Sequence, residues 1–320
     1  MSRAWLAELD GRRVVVDIPA TTANLGAGYD CLGMALDVLN RVEVEVGGQS
    51  SAAHTLEIEG EGAAELTVGA GNRFIEGLEA ALREHHGDLP ADARWRIRMT
   101  TRIPLARGLG SSAAATVGGL LAGNALLGGA LPPADLLRLA TRIEGHPDNA
   151  APALLGGFVV SAVLGDEVEA IRFDVPRGVR AVVFIPELRL PTSEMRRVLP
   201  NSVPRADAVA NLGRVAIGVA GFATGRLDLL RFLTEDRLHE PYRAAVYPQL
   251  PRMVADARAA GAMGACLSGA GSAIIAFAAT LSGVARVEAA FRAAAGDMDF
   301  PGRVEIMKPR NAGAVTVSNA

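Results

Sequence analysis

The sequence predicts an α+β protein of two domains. Three observations carry that expectation. A length of 320 residues exceeds one ordinary domain and suits two, each able to bury a core. Runs with a period of two alternate along the chain with runs of helical spacing. Half of the residues are hydrophobic while aromatics make up only 4%, so the cores must be built from Val, Leu, Ile and Ala. The Gly165-Asp166 turn is the expected boundary, giving domains 1–165 and 166–320.

Residues 13–18 read as a buried strand ending at Pro19. Over 38–46, Val42, Val44 and Val46 face one way and Arg41, Glu43 and Glu45 the other, as in a half-exposed strand. The spacing of Phe74, Ile75, Leu78 and Leu82 predicts a helix over 72–84 that ends near Gly87. Residues 94–102 alternate again, Arg94, Arg96 and Arg98 opposite Trp95, Ile97 and Met99. A basic strand face can grip RNA, but no stacking aromatics share this one, so it reads as a solvated outer sheet face.

An Ala-rich helix runs to about Leu127. A second starts at Pro133, whose fixed φ suits a first turn, and closes at Glu144-Gly145. The polar turn His146-Pro147-Asp148-Asn149 leads into 150–155, and Gly156-Gly157 opens a strand over 158–164. The second domain is expected to hold strands near 168–174, 179–185, 273–278 and 303–308. Its helices are expected near 193–199, 206–223, 226–233 and 248–260.

Composition excludes several classes. A net charge of −3 gives no nucleic-acid or membrane surface. Cys31 and Cys266 lack metal spacing and suit packed positions in a reducing cytoplasm. The first residues carry charges without a long apolar run, so no signal peptide is expected. Two uncharged stretches, 108–134 and 259–285, exceed a membrane thickness, and the first holds a Gly119-x-x-x-Gly123 spacing. Both are rich in Gly, Ala and Ser rather than Leu, Ile and Phe, and read as buried loops feeding buried helices. Lys308 is the only lysine, so neither a Walker-type phosphate loop nor a pyridoxal Schiff base can be built from the middle of the chain.

Three glycine loops stand at element boundaries. The most informative is Pro104-Leu105-Ala106-Arg107-Gly108-Leu109-Gly110-Ser111-Ser112-Ala113-Ala114. Its glycines let backbone N–H groups converge on an anion at the positive end of the following helix. A tight strand-to-helix turn with serine caps would use the same residues. The second loop, 19–30, places Asn24 and Asp30 around Gly26 and Gly28, and a plain hairpin would not call for that amide and carboxylate. The third, 264–272, precedes the apolar run 273–277 and is ordinary turn chemistry taken alone.

Together the segments PATTANLGAGYD, PLARGLGSSAAA, EGHPDNAAPALLGG and LSGAGS resemble the GHMP kinase superfamily. The His146-Pro-Asp-Asn turn and the later stretch TSEMRRVLP are most similar to its homoserine kinase family. The similarity spans roughly Val14 to Pro309.

The resemblance implies an N-terminal domain like ribosomal protein S5 domain 2 that binds ATP. A ferredoxin-like C-terminal domain would contribute to the substrate site. The implied reaction is ATP-dependent phosphorylation of the L-homoserine side-chain hydroxyl, in threonine biosynthesis. Another small alcohol, such as shikimate, a mevalonate-type acid or a sugar, is the alternative. A homodimer, with no nucleic-acid or membrane partner, would fit similar kinases.

Residue by residue, ATP phosphates would lie on 104–114, and Asn72 would approach the adenine or simply cap the helix that follows. Ser112 and Glu144 would hold Mg2+, Glu144 otherwise being a solvated helix end. Asn24, Asp30, His146, Asp148, Thr192 and Arg243 would surround homoserine, Asp30 and Asp148 suiting its ammonium. Arg196 and Arg243 would fork onto its carboxylate. For His146 a structural hydrogen bond and a substrate contact are both open, and Thr192 or Ser193 could instead cap a helix. With no lysine at hand, no strong general base is expected, and Asn149 would orient the hydroxyl. Ala27, Tyr29 and Ser272 depart from the family pattern at positions that read as backbone-shaping or packing ones.

Overall fold

The computed structural model describes residues 4–47, 54–67, 71–90 and 93–319. After a short helix α1 (Ala4–Glu8), the first unit runs β1 (Arg13–Ala23), β2 (Leu32–Val46), β3 (Thr55–Gly60), α2 (Arg73–His86) and β4 (Trp95–Thr101). It continues through α3 (Ser111–Leu126), α4 (Pro133–Glu144), α5 (Ala150–Leu155), β5 (Phe158–Leu164) and β6 (Glu167–Phe173). The second unit is β7 (Arg180–Pro186), α6 (Thr192–Arg197), α7 (Arg205–Ala223), α8 (Leu230–Leu233), α9 (Glu240–Arg243) and α10 (Leu250–Ala259). It ends with β8 (Gly264–Leu267), β9 (Ile274–Ala278), α11 (Leu281–Asp297) and β10 (Gly302–Met307), and β11 (Val315–Asn319) follows. The class is α+β, as the sequence predicts.

A seven-stranded sheet has the order β11-β1-β2-β4-β3, with β5 on β2 and β6 on β5. The alternating residues sort as their pattern requires. Val14, Val16, Val42, Val44, Trp95 and Ile97 are buried and pack with Phe74, Leu78 and Leu82 of α2. On the outer face Arg98 reaches Glu57 at 2.9 Å, Arg41 reaches Asp17 at 2.7 Å, and Arg96 pairs with Glu45. Such exposed cross-strand pairs contribute little stability, and they leave that face balanced in charge rather than basic.

Helices α2 and α3 pack closely because α3 has glycines at the crossing. A Cβ on Gly119 would stand 2.0 Å from the Phe74 carbonyl oxygen. The Gly-x-x-x-Gly spacing is thus a helix-packing groove against α2. Among the described residues one helix, α7, is long and apolar enough by composition to cross a bilayer. It also carries the buried Asn211, bonded to Asp236 at 2.7 Å, and Arg214, paired with Glu235 at 2.9 Å.

Two expectations need correction. The first strand does not stop at Pro19; β1 continues to Ala23, with a register shift between Pro19 and Ala20 where the ladder absorbs the missing N–H. The expected boundary at 165/166 falls inside a hairpin, because β5 and β6 pair from Leu164↔Glu167 to Phe158↔Phe173. Beyond the second unit the chain also returns, β11 pairing with β1. The smaller unit is therefore inserted between β6 and β11. The two crossing segments are stapled by Asn311, whose Oδ1 accepts from Val175 N at 2.7 Å and whose Nδ2 donates to Val175 O at 3.0 Å.

That inserted unit is a four-stranded antiparallel sheet of order β10-β7-β9-β8. With α10 and α11 it makes the β-α-β-β-α-β arrangement of ferredoxin-like folds. Met253, Ala257, Val287 and Phe291 from those helices pack on Val182, Phe184, Ile274 and Ala276. The other sheet face, with Val183, Ile185, Ile275 and Phe277, joins the main core.

Candidate active site

The three glycine loops interlock where the two units meet. The N–H of Thr21 donates to Leu109 O at 3.1 Å, and that of Gly269 donates to Ala23 O at 3.0 Å. Ala273 N–H donates to Arg107 O at 2.9 Å, and the Ser268 hydroxyl donates to Gly108 O at 2.7 Å. Glycine is needed at the closest approach. Gly108 has φ +72°, and a Cβ there would lie 2.0 Å from the Ser268 carbonyl oxygen. The third loop, weak as a sequence signal, is thus the brace of the first two. Arg107 adds a second brace, donating to Pro186 O at 2.8 Å and Glu187 O at 2.7 Å.

The loop 104–110 delivers the chain into α3. Gly110 caps that helix in the left-handed conformation with no side-chain cap bond. Among the described residues the N–H groups of Ser111, Ser112 and Ala113 have no backbone acceptor. They stand at the positive end of a 16-residue helix, an arrangement suited to an anion. Two cavities meet at this point. One, about 250 Å³, is lined by Asn24, Asp30, His146, Asp148, Asn149, Thr192, Arg196 and Arg243, and by Pro104, Ala106–Ala113 and Glu144. The other, about 470 Å³, is lined by apolar Ile18, Val42, Met99 and Leu105 with Asn72, Ala114 and Ala115. Arg73, Ala106, Ser111 and Ser112 border both. Every site residue expected from the sequence therefore lines one cavity or the other.

Glu144 is not a solvated helix end. Its side chain is only 8% exposed, and its Oε1 accepts from Ser112 Oγ at 3.0 Å and Thr116 Oγ1 at 2.6 Å. Two hard oxygens, Ser112 Oγ and Glu144 Oε1, thus converge beside the helix start, a donor set that fits Mg2+. Asn72 is a cap: its Oδ1 accepts from Phe74 N at 3.1 Å and Ile75 N at 3.3 Å. Thr192 opens α6, but Pro191 occupies the cap position and no side-chain cap bond forms, so the hydroxyl is not committed there.

Asp148 is 2% exposed and makes a short hydrogen bond to His146 Nδ1. Burial opposes charge on His146, but the bond to Asp148 and that carboxylate's charge outweigh it, so its pKa is raised. Asn149 is held from both ends: Oδ1 accepts from Thr21 Oγ1 at 2.8 Å, and Nδ2 faces Asp148 Oδ1 at 3.3 Å. Asp30 and Arg196 form a bidentate pair, 2.7 and 3.0 Å. Asp30, His146 and Asp148 also form a cluster with the proportions of a cation site. Both of its carboxylates already have partners within the protein, Asp30 in Arg196 and Asp148 in His146. Arg243 is 1% exposed and donates to His239 Nδ1 at 2.9 Å, Gly269 O at 3.1 Å and Met195 O at 3.3 Å. Asn24 is spent on the loops themselves, its Nδ2 donating to Gly269 O at 2.9 Å and its Oδ1 accepting from Asp30 N at 3.0 Å.

Four residues escaped the sequence reading of the site: Thr21, Tyr29, Arg73 and Thr116. Thr116 lies one turn after Ser112 in a helix that is mostly small and aliphatic, a spacing that could have disclosed it. Tyr29, read as a packing position, donates no such pattern, yet its hydroxyl accepts from Arg196 Nη1 at 2.8 Å.

Comparison with known proteins agrees with this architecture. The GHMP kinases N terminal domain matches residues 72–157, and the GHMP kinases C terminal domain matches 219–297. A homoserine kinase of Carboxydothermus hydrogenoformans is 42% identical, over 96% of this chain and 97% of that protein. One of Moorella thermoacetica is 45% identical over 82% of this chain and 86% of its own length. The crystal structure of homoserine kinase from Cytophaga hutchinsonii superposes with a TM-score of 0.81 at 28% identity, covering 95% of this chain and 97% of that one. A phosphate-type loop at a free helix start, the two-unit α+β fold and these relatives lead to one conclusion: the chain is an ATP-using enzyme that belongs to the homoserine kinase family of GHMP kinases.

Proposed function

We propose that this enzyme transfers the γ-phosphoryl group of ATP to the side-chain hydroxyl of L-homoserine, giving O-phospho-L-homoserine and ADP. The observation that carries the reading is the pair of cavities joined at Ser111 and Ser112. The larger has a partly apolar wall of Ile18, Val42, Met99 and Leu105 suited to a nucleoside, and the smaller gathers Asp30, Asp148, Arg196 and Arg243 into one space. A zwitterionic α-amino acid needs both signs of charge in one small space. Shikimate, a mevalonate-type acid and a sugar have no ammonium to meet two carboxylates.

Phosphoryl transfer asks the protein mainly for positioning and for neutralisation of charge. The free N–H groups of Ser111, Ser112 and Ala113 would hold phosphate oxygens. Ser112 and Glu144 would hold Mg2+, which neutralises phosphate charge when bound. Asn149, fixed by Thr21, would orient the acceptor hydroxyl, whose proton passes to the phosphate or to water. Arg196 and Arg243 would take the carboxylate, while Asp30 and Asp148 take the ammonium.

An assay of ATP consumption across a panel of small alcohols, with and without magnesium, tests the substrate. Activity on homoserine is expected; silence with homoserine and turnover of another alcohol would refute it. Asn149→Ala should lower turnover and leave ATP binding in place. Turnover equal to the parent's would remove Asn149 from the reaction.

A further inference from the structure

Arg196, which the proposed function assigns to the homoserine carboxylate, is already occupied in the protein itself. Its fork closes on Asp30, and its Nη1 also donates to the Tyr29 hydroxyl at 2.8 Å. Tyr29 lies beside both of the arginines assigned to the substrate. The guanidinium carbons of Arg196 and Arg243 lie 5.6 and 5.7 Å from its ring centroid, so one ring face system serves two like charges. The buried His239 packs against the ring, 5.3 Å between centroids and tilted by 34°. Arg243 is separately anchored by three protein acceptors.

The Asp30–Arg196 pair has the charge pattern of the expected ligand, a carboxylate beside a cation. An incoming amino acid brings the reverse of each: its ammonium suits Asp30 and its carboxylate suits Arg196. Binding therefore exchanges one internal pair for two external ones, and Arg196 loses the partner that held it. Its side chain is long and about one-third exposed, so without another anchor it would have many rotamers to choose among. The Tyr29 hydroxyl is the contact that can survive the exchange, because it takes one N–H of the five that a guanidinium offers.

We infer that Tyr29 is a positioning residue, its hydroxyl holding Arg196 at the spacing from Arg243 that a substrate carboxylate requires once the substrate has opened the Asp30–Arg196 pair. The inference rests on the proposed role of Arg196. Tyr29 touches no reacting atom in this scheme and acts through the arginine.

Tyr29→Phe keeps the ring against both arginines and His239 and removes only the hydroxyl. Steady-state kinetics should show KM for homoserine raised about tenfold, the scale of one hydrogen bond to a charged group, with kcat and KM for ATP little changed. Arg196→Ala should raise KM for homoserine further, and adding Tyr29→Phe to it should have no additional effect, because the arginine through which the hydroxyl acts is gone. If Tyr29→Phe matches the parent while Arg196→Ala raises KM, the inference fails and the role of Arg196 stands. Should Arg196→Ala leave KM unchanged, both fail. Additive effects in the double variant, or a parallel loss in KM for ATP, would mark Tyr29 as a general packing residue and overturn the inference.

Discussion

Replacing Thr21 by valine tests whether the orientation of Asn149 is set by the first strand. The substitution exchanges a hydroxyl for a methyl at nearly constant volume, at a residue with no exposed surface. It deletes the 2.8 Å bond to Asn149 Oδ1, leaving the 3.3 Å approach to Asp148 as the other side-chain contact. A neutral hydrogen bond is worth about 0.5–1.5 kcal/mol net. Because Asn149 borders the cavity, water can reach the freed oxygen, which keeps the stability loss near about 1 kcal/mol. For a chain of this size that is a fall of roughly 2–4 °C in Tm. The same energy, lost from the bias toward one amide orientation, corresponds to about fivefold in kcat. Thermal melting, steady-state kinetics and ATP titration measure the three quantities. The expected result is a modest loss of Tm, kcat down about fivefold and ATP affinity unchanged. An unchanged kcat with the same fall in Tm would show that Thr21 only packs. A matching loss in ATP affinity would mean that its backbone bond to Leu109 had shifted the phosphate loop instead.

Other substitutions probe the metal position, the loop brace and a buried acid. Glu144→Gln keeps the acceptor for Ser112 and Thr116 but removes the charge, so half-activation should need about tenfold more magnesium, read from a magnesium titration of activity; an unchanged curve would remove Glu144 from the metal. Gly108→Ala combines φ +72° with a Cβ 2.0 Å from a backbone oxygen, whereas Gly165→Ala combines φ +66° with open space. The second should cost only the left-handed penalty of about 1–2 kcal/mol, the first clearly more, and equal melting temperatures would contradict the brace. Burial pushes the Glu240 carboxyl from 4.5 up to about 8, against the bond it accepts from Leu267 N–H at 2.8 Å. The folded protein then keeps a proton that the unfolded chain gives up. Stability is full below about pH 4.5 and falls as pH rises toward 8, by at most about 1.4 kcal/mol per pH unit. Glu240→Gln should escape this, its Tm advantage over the parent growing between pH 5 and 8; a constant difference would refute the assignment.

Elements with a strong local signature were legible in the sequence. Pro133 and Gly145 bracket α4, and Trp95, Ile97 and Met99 alternate with exposed residues along β4. β3 and β11 were not foreseen because each carries only two alternating apolar residues, Leu56 and Ile58 or Val315 and Val317, too short a run to stand out. α11 escaped although Val284, Val287 and Phe291 recur at helical spacing, because its alanines, glycines and uncharged first turn blur that face. The glycines disclosed the loops, since positive φ and close approach leave few other choices. What those loops do to one another was not legible: the Ser268–Gly108 bond spans 160 residues and Asp30–Arg196 spans 166. No local period encodes such a pairing. Tyr29 shows the same limit, for a phenol 167 residues away from its arginine reads as packing until the fold brings them together.

The insertion of the smaller unit between β6 and β11 has a mechanical consequence. It is fastened to the larger sheet by two adjacent threads rather than one, and Asn311 sews those threads together. The interlocked loops pin the same two bodies at a second place. A body held at two stations can pivot only about the line through them, so any motion of the smaller unit against the larger is confined to that one axis. The proposed exchange of ionic partners at Asp30 and Arg196 would then take place in a frame hinged like a door rather than strung on a single thread.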